Sequence, residues 1–126
     1  MVVGLGIDLV ELDRVGQALA RWGGRFLSKL MDPEEAAALP AAAEARVLAV
    51  AHAVGGKEAA SKALGTGWSR GVQWRHVIVD PLRLEAKLVG RAAAVARSLG
   101  AQSRGPLRLE RRGNLVLAEF RLLGRP

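Results

Sequence analysis

The alternation of apolar and polar positions along the chain predicts an α+β fold. A short apolar run with β-branched residues, Val2 to Val10, predicts a buried strand. Between residues 11 and 30 the apolar positions recur at helical spacing, which predicts an amphipathic helix broken or bent at Gly23-Gly24. Its apolar stripe consists of Val15, Leu19, Trp22 and Phe26.

A second helical region follows. Asp32 is placed to cap a short helix that Pro33 opens, because an Asp accepts from free backbone N–H groups and proline suits the first turn. The Ala-rich segment from residue 41 to residue 64 predicts a long helix. Gly55-Gly56 within it costs about 1 kcal/mol per glycine relative to alanine. These glycines therefore indicate either that a backbone or a ligand approaches the helix closely here, or that they arose by sequence drift and have no structural role.

The second half of the chain reads mainly as strands. Period-two alternation predicts four strands and a helix that Gly100 ends. The predicted strands are Val72–Val79, Arg83–Val89, Leu107–Glu110 and Leu115–Leu122, and the helix is Gly90–Leu99. No repeat or linker interrupts this order, so we expect residues 1–126 to form a single domain.

The net charge and the absence of cysteine restrict the kinds of partner and the kinds of site that this protein can have. Nineteen Lys and Arg against twelve Asp and Glu give a net charge of +7, which favours an anionic partner: nucleic acid, an acidic protein or a phosphorylated small molecule. A GC-rich genome could also produce this basic composition. The absence of cysteine excludes disulfides, thiolate metal sites and cysteine nucleophiles.

The N-terminal apolar run does not have the features of a targeting segment. It lacks a basic region, Asp8 interrupts it, and no apolar stretch reaches the roughly 18 residues that a membrane span needs. We therefore expect a soluble cytoplasmic protein with no membrane partner.

Candidate chemistry centres on two carboxylates. A carboxylate such as Asp8 near the end of a buried strand is costly unless it is paired, bonded or bound to a cation. On the long helix, Glu58, Ser61 and Lys62 stand at i, i+3 and i+4, which is one helix face. That pattern fits a seat for a metal and a phosphate, and equally a solvated surface. If the first strand packs on this helix, Asp8 and Glu58 could face one Mg²⁺, with Lys57 and Lys62 adding positive charge for a phosphate.

A basic stripe accompanies the first helix. Arg14, Arg21 and Arg25 stand at i, i+7 and i+11, beside the apolar stripe. Three like charges on one face repel one another, so the arrangement suits an acidic partner docked there. A solvated face remains the alternative.

Several of these segments together resemble the holo-acyl-carrier-protein synthase family, the small 4′-phosphopantetheinyl transferases. The matching segments are Gly-Ile-Asp-Leu-Val-Glu at residues 6–11, Arg14, Arg25-Phe26-Leu27, and Lys-Glu-Ala-Ala-Ser-Lys-Ala-Leu-Gly-Thr-Gly at residues 57–67. Together they span most of residues 1–80.

The resemblance implies a phosphopantetheinyl-transferase-like fold, with a small antiparallel sheet under a long helix. It implies transfer of 4′-phosphopantetheine from coenzyme A to a serine of apo-acyl carrier protein by a homotrimer. It assigns catalytic roles to Asp8, Glu58 and Lys62, with Asp8 and Glu58 as Mg²⁺ ligands. By the same resemblance, the residues expected to contact coenzyme A are Lys57, Ser61, Lys62, Gly65, Thr66 and Gly67. The residues expected to contact acyl carrier protein are Arg14, Arg21 and Arg25.

Two alternatives stay open. The family's Ser-x-Ser-His motif near the last hairpin is absent, and residues 107–111 occupy that region with Arg108, Arg111 or Arg112 as basic substitutes. A relative that binds coenzyme A or carrier protein without turnover is therefore one alternative. A small basic nucleic-acid-binding module is the other, although 4% aromatic residues leave few stacking platforms.

Overall fold

In the computed structural model, which describes residues 1–126, five antiparallel strands form one sheet in the order β1-β5-β4-β3-β2. The α+β prediction is thus confirmed. The strands are β1 Val2–Glu11, β2 Val77–Asp80, β3 Glu85–Leu88, β4 Arg104–Arg112 and β5 Leu115–Leu123.

Five helices accompany the sheet. They are α1 Leu12–Trp22, α2 Gly24–Leu30, α3 Pro33–Ala37, α4 Ala43–Ala63 and α5 Gly90–Ser98. The predicted break falls at Gly23, whose φ of 48° lies in the left-handed region that glycine adopts readily. Asp32 caps α3 as predicted: its carboxylate accepts from the backbone N–H of Glu35, and the Glu35 side chain bonds back to Asp32 N. None of the helices combines the length and apolar character that crossing a bilayer requires.

Helix α4 lies directly on β1 because β1 carries glycines where the two meet. A Cβ atom on Gly6 would come within 1.7 Å of the Ala59 carbonyl oxygen, and one on Gly4 within 2.3 Å of the Ala63 oxygen. The two backbones can therefore approach only where β1 has no side chain. This contact fixes which residues of β1 and α4 face one another.

The glycines within α4 likewise allow close packing, here between α4 and side chains of the sheet. A Cβ on Gly55 would lie 3.0 Å from the Ala118 side chain of β5, and one on Gly56 would lie 2.7 Å from the Val79 side chain of β2. A close approach is therefore present at Gly55-Gly56, but side chains of the sheet make it, and not the backbone or ligand that was predicted from the sequence.

Two apolar clusters lie along α4, one against each half of the helix. One is formed between the second half of α4, α5 and the sheet, with Phe120 and Leu122 fully buried. The other joins the first half of α4 to α1 and α2, with Val15, Leu27 and Val50 buried. Because it is covered on several sides, α4 buries residues around much of its circumference, which small side chains make possible.

Two local predictions were wrong. The predicted strand Val72–Val79 begins only at Val77, because Trp74–His76 forms a 3₁₀ turn closed by a hydrogen bond from Gln73 N to His76 Nδ1. Trp22, assigned to the apolar stripe of α1, is 51% exposed. It lies at the last position of α1, before the break, and the Arg21 guanidinium sits over its ring.

Candidate active site

The packing of α4 on β1 brings Asp8 and Glu58 to one cavity. Its volume is about 480 Å³, and both carboxylates line it. Charged residues at its edge are Glu11, Arg14 and Lys29, and the apolar wall comprises Leu9, Val10, Val15, Ala18, Phe26, Leu30, Val54 and Trp74. The juxtaposition follows from the packing of β1 on α4, which was the condition under which it was expected from the sequence.

Asp8 is held by Lys62 from the next-to-last residue of α4. The Lys62 ammonium donates to Asp8 Oδ1 at 2.9 Å and to the Ile7 carbonyl oxygen at 3.1 Å. The Lys62 side chain is 50% exposed, whereas that of Asp8 is 18% exposed. The lysine is thus half exposed to solvent while it binds Asp8, a carboxylate that lines the cavity.

Glu58 is held by a tryptophan from the loop that follows α4. The Trp68 indole Nε1 donates to Glu58 Oε1 at 3.3 Å. Hydrogen bonds within the protein engage one oxygen of each carboxylate, Asp8 Oδ1 and Glu58 Oε1. Asp8 Oδ2 and Glu58 Oε2 therefore remain available to a ligand.

These two carboxylates fit a Mg²⁺ site that substrate would complete. No group of three His, Cys, Asp or Glu side chains is arranged to hold a metal. Mg²⁺ commonly binds through one or two carboxylates and keeps several waters, with phosphate oxygens filling other positions. Two free carboxylate oxygens beside one cavity match that pattern, since they leave most of the coordination shell to water and phosphate.

Lys57 does not lie in this site, contrary to the prediction. Its side chain is fully buried, and its ammonium binds Glu35 Oε2 at 3.0 Å and the carbonyl oxygens of Trp74 and Val77. Burial raises the pKa of Glu35 and lowers the pKa of Lys57, although their mutual attraction acts against both shifts. Lys57 therefore joins α4 to α3 and to the 3₁₀ turn and cannot reach a phosphate in the cleft.

Ser61 and Thr66 also differ from expectation. The Ser61 side chain is fully buried and donates to the Glu58 carbonyl oxygen at 2.8 Å. Thr66 is 8% exposed, and its hydroxyl donates to the Gly67 carbonyl oxygen. Their hydroxyl groups thus bond to the backbone of the helix end and of the loop, and neither residue lines the cavity.

Gly65 and Gly67 lie in positions where the loop backbone could contact coenzyme A, the role predicted for them. Their φ angles of 77° and 52° lie in the left-handed region, which explains glycine at both. A Cβ atom at either position would meet nothing within 4 Å. The loop backbone is therefore open to an approaching ligand.

The three predicted partner-binding arginines are exposed, but they do not form one helical stripe. Arg14 and Arg21 lie on α1, whereas the break at Gly23 places Arg25 on α2. Arg14 lines the cavity and makes a long, exposed ion pair of 3.9 Å with Glu11. The i, i+11 spacing does not place Arg14 and Arg25 on one helix face, because that rule requires one continuous helix and α1 ends before Arg25.

None of the arginines considered as substitutes for the missing Ser-x-Ser-His motif lines this cavity. Arg108 and Arg112 both bind Glu110 on β4, at 3.1 and 2.8 Å. The Arg112 hydrogen bond and charge, with a smaller contribution from Arg108, hold the pKa of Glu110 below its usual range. Arg111 donates to the Gly113 carbonyl oxygen at the hairpin turn and lines a different cavity, beside α1.

Sequence reasoning missed Trp68, Trp74 and Glu35. Trp68 contacts Glu58, Trp74 lines the cavity, and Glu35 neutralises Lys57. The one available signal was a tryptophan within a glycine-punctuated loop, since an aromatic side chain there must pack on something. The other contacts join residues distant in sequence and carry no local pattern.

Comparison with known proteins places this geometry in a family. Residues 4–108 match the family model of the 4′-phosphopantetheinyl transferase superfamily. The chain is 46% identical over 106 residues to a holo-[acyl-carrier-protein] synthase from Solidesulfovibrio magneticus, covering 82% of this chain and 84% of the relative.

Solved structures of holo-[acyl-carrier-protein] synthases have the same fold as this chain. The holo-[acyl-carrier-protein] synthase of Neisseria meningitidis superposes with a TM-score of 0.78 at 28% identity, covering 97% of this chain and 98% of that one. The enzyme of Bacillus anthracis, solved in complex with coenzyme A (3′,5′-ADP), has the same fold, with a TM-score of 0.74 at 24% identity over 99% of both chains. The chain therefore belongs to the holo-acyl-carrier-protein synthase family of the 4′-phosphopantetheinyl transferase superfamily.

Proposed function

We propose that this chain transfers 4′-phosphopantetheine from coenzyme A to a serine of apo-acyl carrier protein, releases 3′,5′-ADP and requires Mg²⁺. The observation that carries the proposal is the cavity lined by Asp8 and Glu58, with Lys62 bound to Asp8, in a member of this family. The names of the relatives, and the coenzyme A bound to the Bacillus anthracis enzyme, support the substrate.

In this proposal the two carboxylates would hold Mg²⁺, since Asp8 Oδ2 and Glu58 Oε2 make no hydrogen bond within the protein. Bound there, the ion supplies positive charge that stabilises the developing charge on the pyrophosphate. Lys62 has three donors, two of which it uses on Asp8 and Ile7. Its third donor can bind a phosphate oxygen without releasing Asp8, so the lysine orients both the carboxylate and the substrate.

The transfer step is a substitution at phosphorus. The serine oxygen of the carrier protein bonds to the phosphorus that bears pantetheine, and the bond from that phosphorus to the bridging pyrophosphate oxygen breaks. The leaving group is 3′,5′-ADP. The serine proton passes to a carboxylate of the site or to water, and the half-buried positions of Asp8 and Glu58 keep an acceptor close to the reacting groups.

Basic side chains beside the cavity suit the acidic carrier protein. Arg14 lies at the edge of the cavity, and Arg21 is exposed seven residues further along α1. An acidic helix laid along α1 would bring its attached serine to the cavity. We propose Arg14 and Arg21 as principal contacts, with Arg25 on the adjacent α2, and Gly65–Gly67 as backbone contacts to the nucleotide of coenzyme A.

We also propose that the protein is a homotrimer and that it acts in the cytoplasm. The support for self-association is an apolar row on the face of β1 that points away from α4. Its members are exposed by 42 to 53%, namely Val3, Leu5 and Ile7, and the row ends at Leu9, which is 62% exposed and also lines the cavity. Copies of this chain are the occupants we propose for this row, since covering it would remove an exposed apolar patch from water. Native mass spectrometry tests the trimer.

Mass spectrometry of apo-acyl carrier protein tests the transfer. Incubation with the purified chain, coenzyme A and Mg²⁺ should add the mass of one phosphopantetheine group, and chelation of Mg²⁺ should prevent the addition. A carrier protein with alanine at the acceptor serine is the control. Absence of transfer together with calorimetric binding of coenzyme A would contradict the proposal and favour a non-catalytic relative. Steeply salt-dependent DNA binding without coenzyme A binding would favour a nucleic-acid module.

A further inference from the structure

Trp68 is the residue whose position the chemistry above leaves unexplained. It lies in the loop after α4, is half-buried, and places its indole N–H 3.3 Å from Glu58 Oε1. Its ring stacks on that of Trp74, with 4.1 Å between centroids and 21° between planes. A half-buried indole N–H ordinarily finds an acceptor, and here the acceptor is a carboxylate that lines the cavity, so the contact restricts Glu58.

Trp74 is itself anchored from the buried side. Its carbonyl oxygen accepts from the Lys57 ammonium at 3.1 Å, and the same ammonium binds Glu35 and the Val77 carbonyl oxygen. The fully buried Lys57 thus fixes the 3₁₀ turn that carries Trp74. Trp74 also lines the cavity that contains Glu58. A continuous chain of contacts therefore runs from the Lys57–Glu35 pair through the two indoles to Glu58.

We propose that Trp68 is the positioning residue for Glu58. Its N–H engages Oε1 and restricts rotation of the carboxylate, which leaves Oε2 for the metal. The Trp68–Trp74 stack, anchored by Lys57, holds the indole in place. The inference rests on the proposed function, because it takes Glu58 as a Mg²⁺ ligand. Partners that orient metal ligands in this way commonly change metal affinity by about 10- to 100-fold when removed.

Two variants separate the hydrogen bond from the stack. Trp68→Phe keeps an aromatic ring against Trp74 and loses the N–H, whereas Trp68→Leu loses both. Binding of Mn²⁺, as a probe for Mg²⁺, is measured by electron paramagnetic resonance of the free ion with coenzyme A present. We expect Trp68→Phe to weaken Mn²⁺ binding about 10-fold with the unfolding midpoint in urea unchanged. Trp22→Phe, at an exposed position remote from Glu58 in sequence, is the matched control and should not alter Mn²⁺ binding.

Transfer kinetics provide a second readout. An orientation defect raises the Mg²⁺ concentration needed for half-maximal transfer in Trp68→Phe, while the rate at saturating Mg²⁺ returns close to that of the wild type. A purely structural role would instead lower stability and leave the Mg²⁺ requirement unchanged, and that result would overturn the proposal.

The indole N–H signals test the contact in the wild-type protein, with variants needed only for assignment and control. The chain has three tryptophans, so ¹⁵N-tryptophan labelling gives three indole signals that single Trp→Phe variants assign. Titration of wild-type protein with Mg²⁺ and coenzyme A should shift the Trp68 signal and leave the Trp22 signal in place. In Glu58→Gln the Trp68 signal should no longer respond to Mg²⁺.

The outcomes also distinguish this inference from the proposed function. Normal Mn²⁺ affinity in Trp68→Phe, with affinity lost in Glu58→Gln, would reject the positioning role and keep Glu58 as a ligand. Normal Mn²⁺ affinity in Glu58→Gln would reject the metal role on which both depend.

Discussion

Two lysines of helix α4 each pair with a carboxylate at nearly the same distance, and they have different surroundings. Lys57 lies 3.0 Å from Glu35, with side-chain exposures of 0 and 12%. Lys62 lies 2.9 Å from Asp8, with exposures of 50 and 18%. The two pairs join the same types of group at nearly the same distance, so the main difference between them is burial.

Burial makes the first pair a structural element. Desolvation raises the pKa of Glu35 and lowers that of Lys57, so it outweighs the attraction that acts in the opposite direction on each group. Such a pair adds little net stability, yet losing one partner leaves a buried charge without compensation. The exposed Lys62–Asp8 pair contributes at most about 1 kcal/mol to stability, and its lysine remains accessible to a ligand. Accessibility is therefore what distinguishes a candidate catalytic lysine from a structural one.

Matched Glu→Gln substitutions on the two sides of α4 should separate function from stability most clearly. Glu58→Gln should reduce transfer about 10³-fold, since weaker charge stabilisation through the metal costs several kcal/mol of barrier. The free energy of unfolding should stay within about 0.5 kcal/mol, because Gln keeps an acceptor for Trp68. Transfer rates from mass spectrometry and urea unfolding measure the two effects. Glu35→Gln is the control: it should retain transfer and lose stability. Unchanged transfer in Glu58→Gln would refute its assigned role.

Substitution of the two lysines tests the comparison directly. Lys57→Met should lower the free energy of unfolding by about 3–5 kcal/mol, because Glu35 and two backbone carbonyls lose a buried partner. Lys62→Met should lower it by less than about 1 kcal/mol while slowing transfer strongly. Urea denaturation of both variants provides the measurement. Equal losses of stability would show that burial does not separate the two pairs.

Disturbing the glycine contact between β1 and α4 should reduce both the stability of the fold and the rate of transfer. In Gly6→Ala the new methyl group would meet the Ala59 carbonyl oxygen, so β1 must move away from α4. We expect a loss of about 1–3 kcal/mol in unfolding free energy. Transfer should fall as well, because Asp8 moves with β1. Gly24→Ala is the control, since a Cβ there meets nothing within 4 Å and should be neutral or slightly stabilising. Normal transfer in a destabilised Gly6→Ala would contradict this account.

The smallest effect concerns the pH dependence of the buried pair. The pKa of Glu35 in the folded protein is raised from its ordinary value of 4.5, chiefly by burial. From pH 4.5 up to that raised pKa, the folded protein holds a proton that the unfolded chain has released. The stability of the wild type relative to Glu35→Gln should therefore fall as the pH rises through this window. Urea unfolding of both proteins at a series of pH values measures the difference. A difference that grows with pH would contradict the direction of the shift.

Local patterns predicted much of the fold. The strand at the N-terminus, the break at Gly23, the cap at Asp32 and the final hairpin all follow from periodicity, capping chemistry and glycine conformation, which act over a few residues. The 3₁₀ turn at Trp74–His76 escaped prediction. Its sequence alternates like a strand, and the Lys57 ammonium that binds the Trp74 and Val77 carbonyls comes from another element.

The site was predicted less completely than the fold. The sequence predicted that Asp8 and Glu58 would come together once β1 packed on α4, and the two do line one cavity. Their role in binding metal stays a prediction. Lys57 was assigned to the ligand for its positive charge and Ser61 for its helical spacing from Glu58, and the family resemblance supported both, yet both side chains are buried. Trp68 was missed because its contact with Glu58 depends on how the loop folds back.

The sequence by itself determined the family, the element types and the residues able to carry the chemistry. Only the tertiary structure decided which neighbours in the motif face the cleft. Successive residues of a helix project about 100° apart, so Lys57 and Glu58 point in different directions. On the side of Lys57, α3 and the 3₁₀ turn cover the helix and desolvate the lysine. On the side of Glu58, β1 approaches closely at its glycines and leaves a cavity, so this carboxylate stays accessible to a ligand.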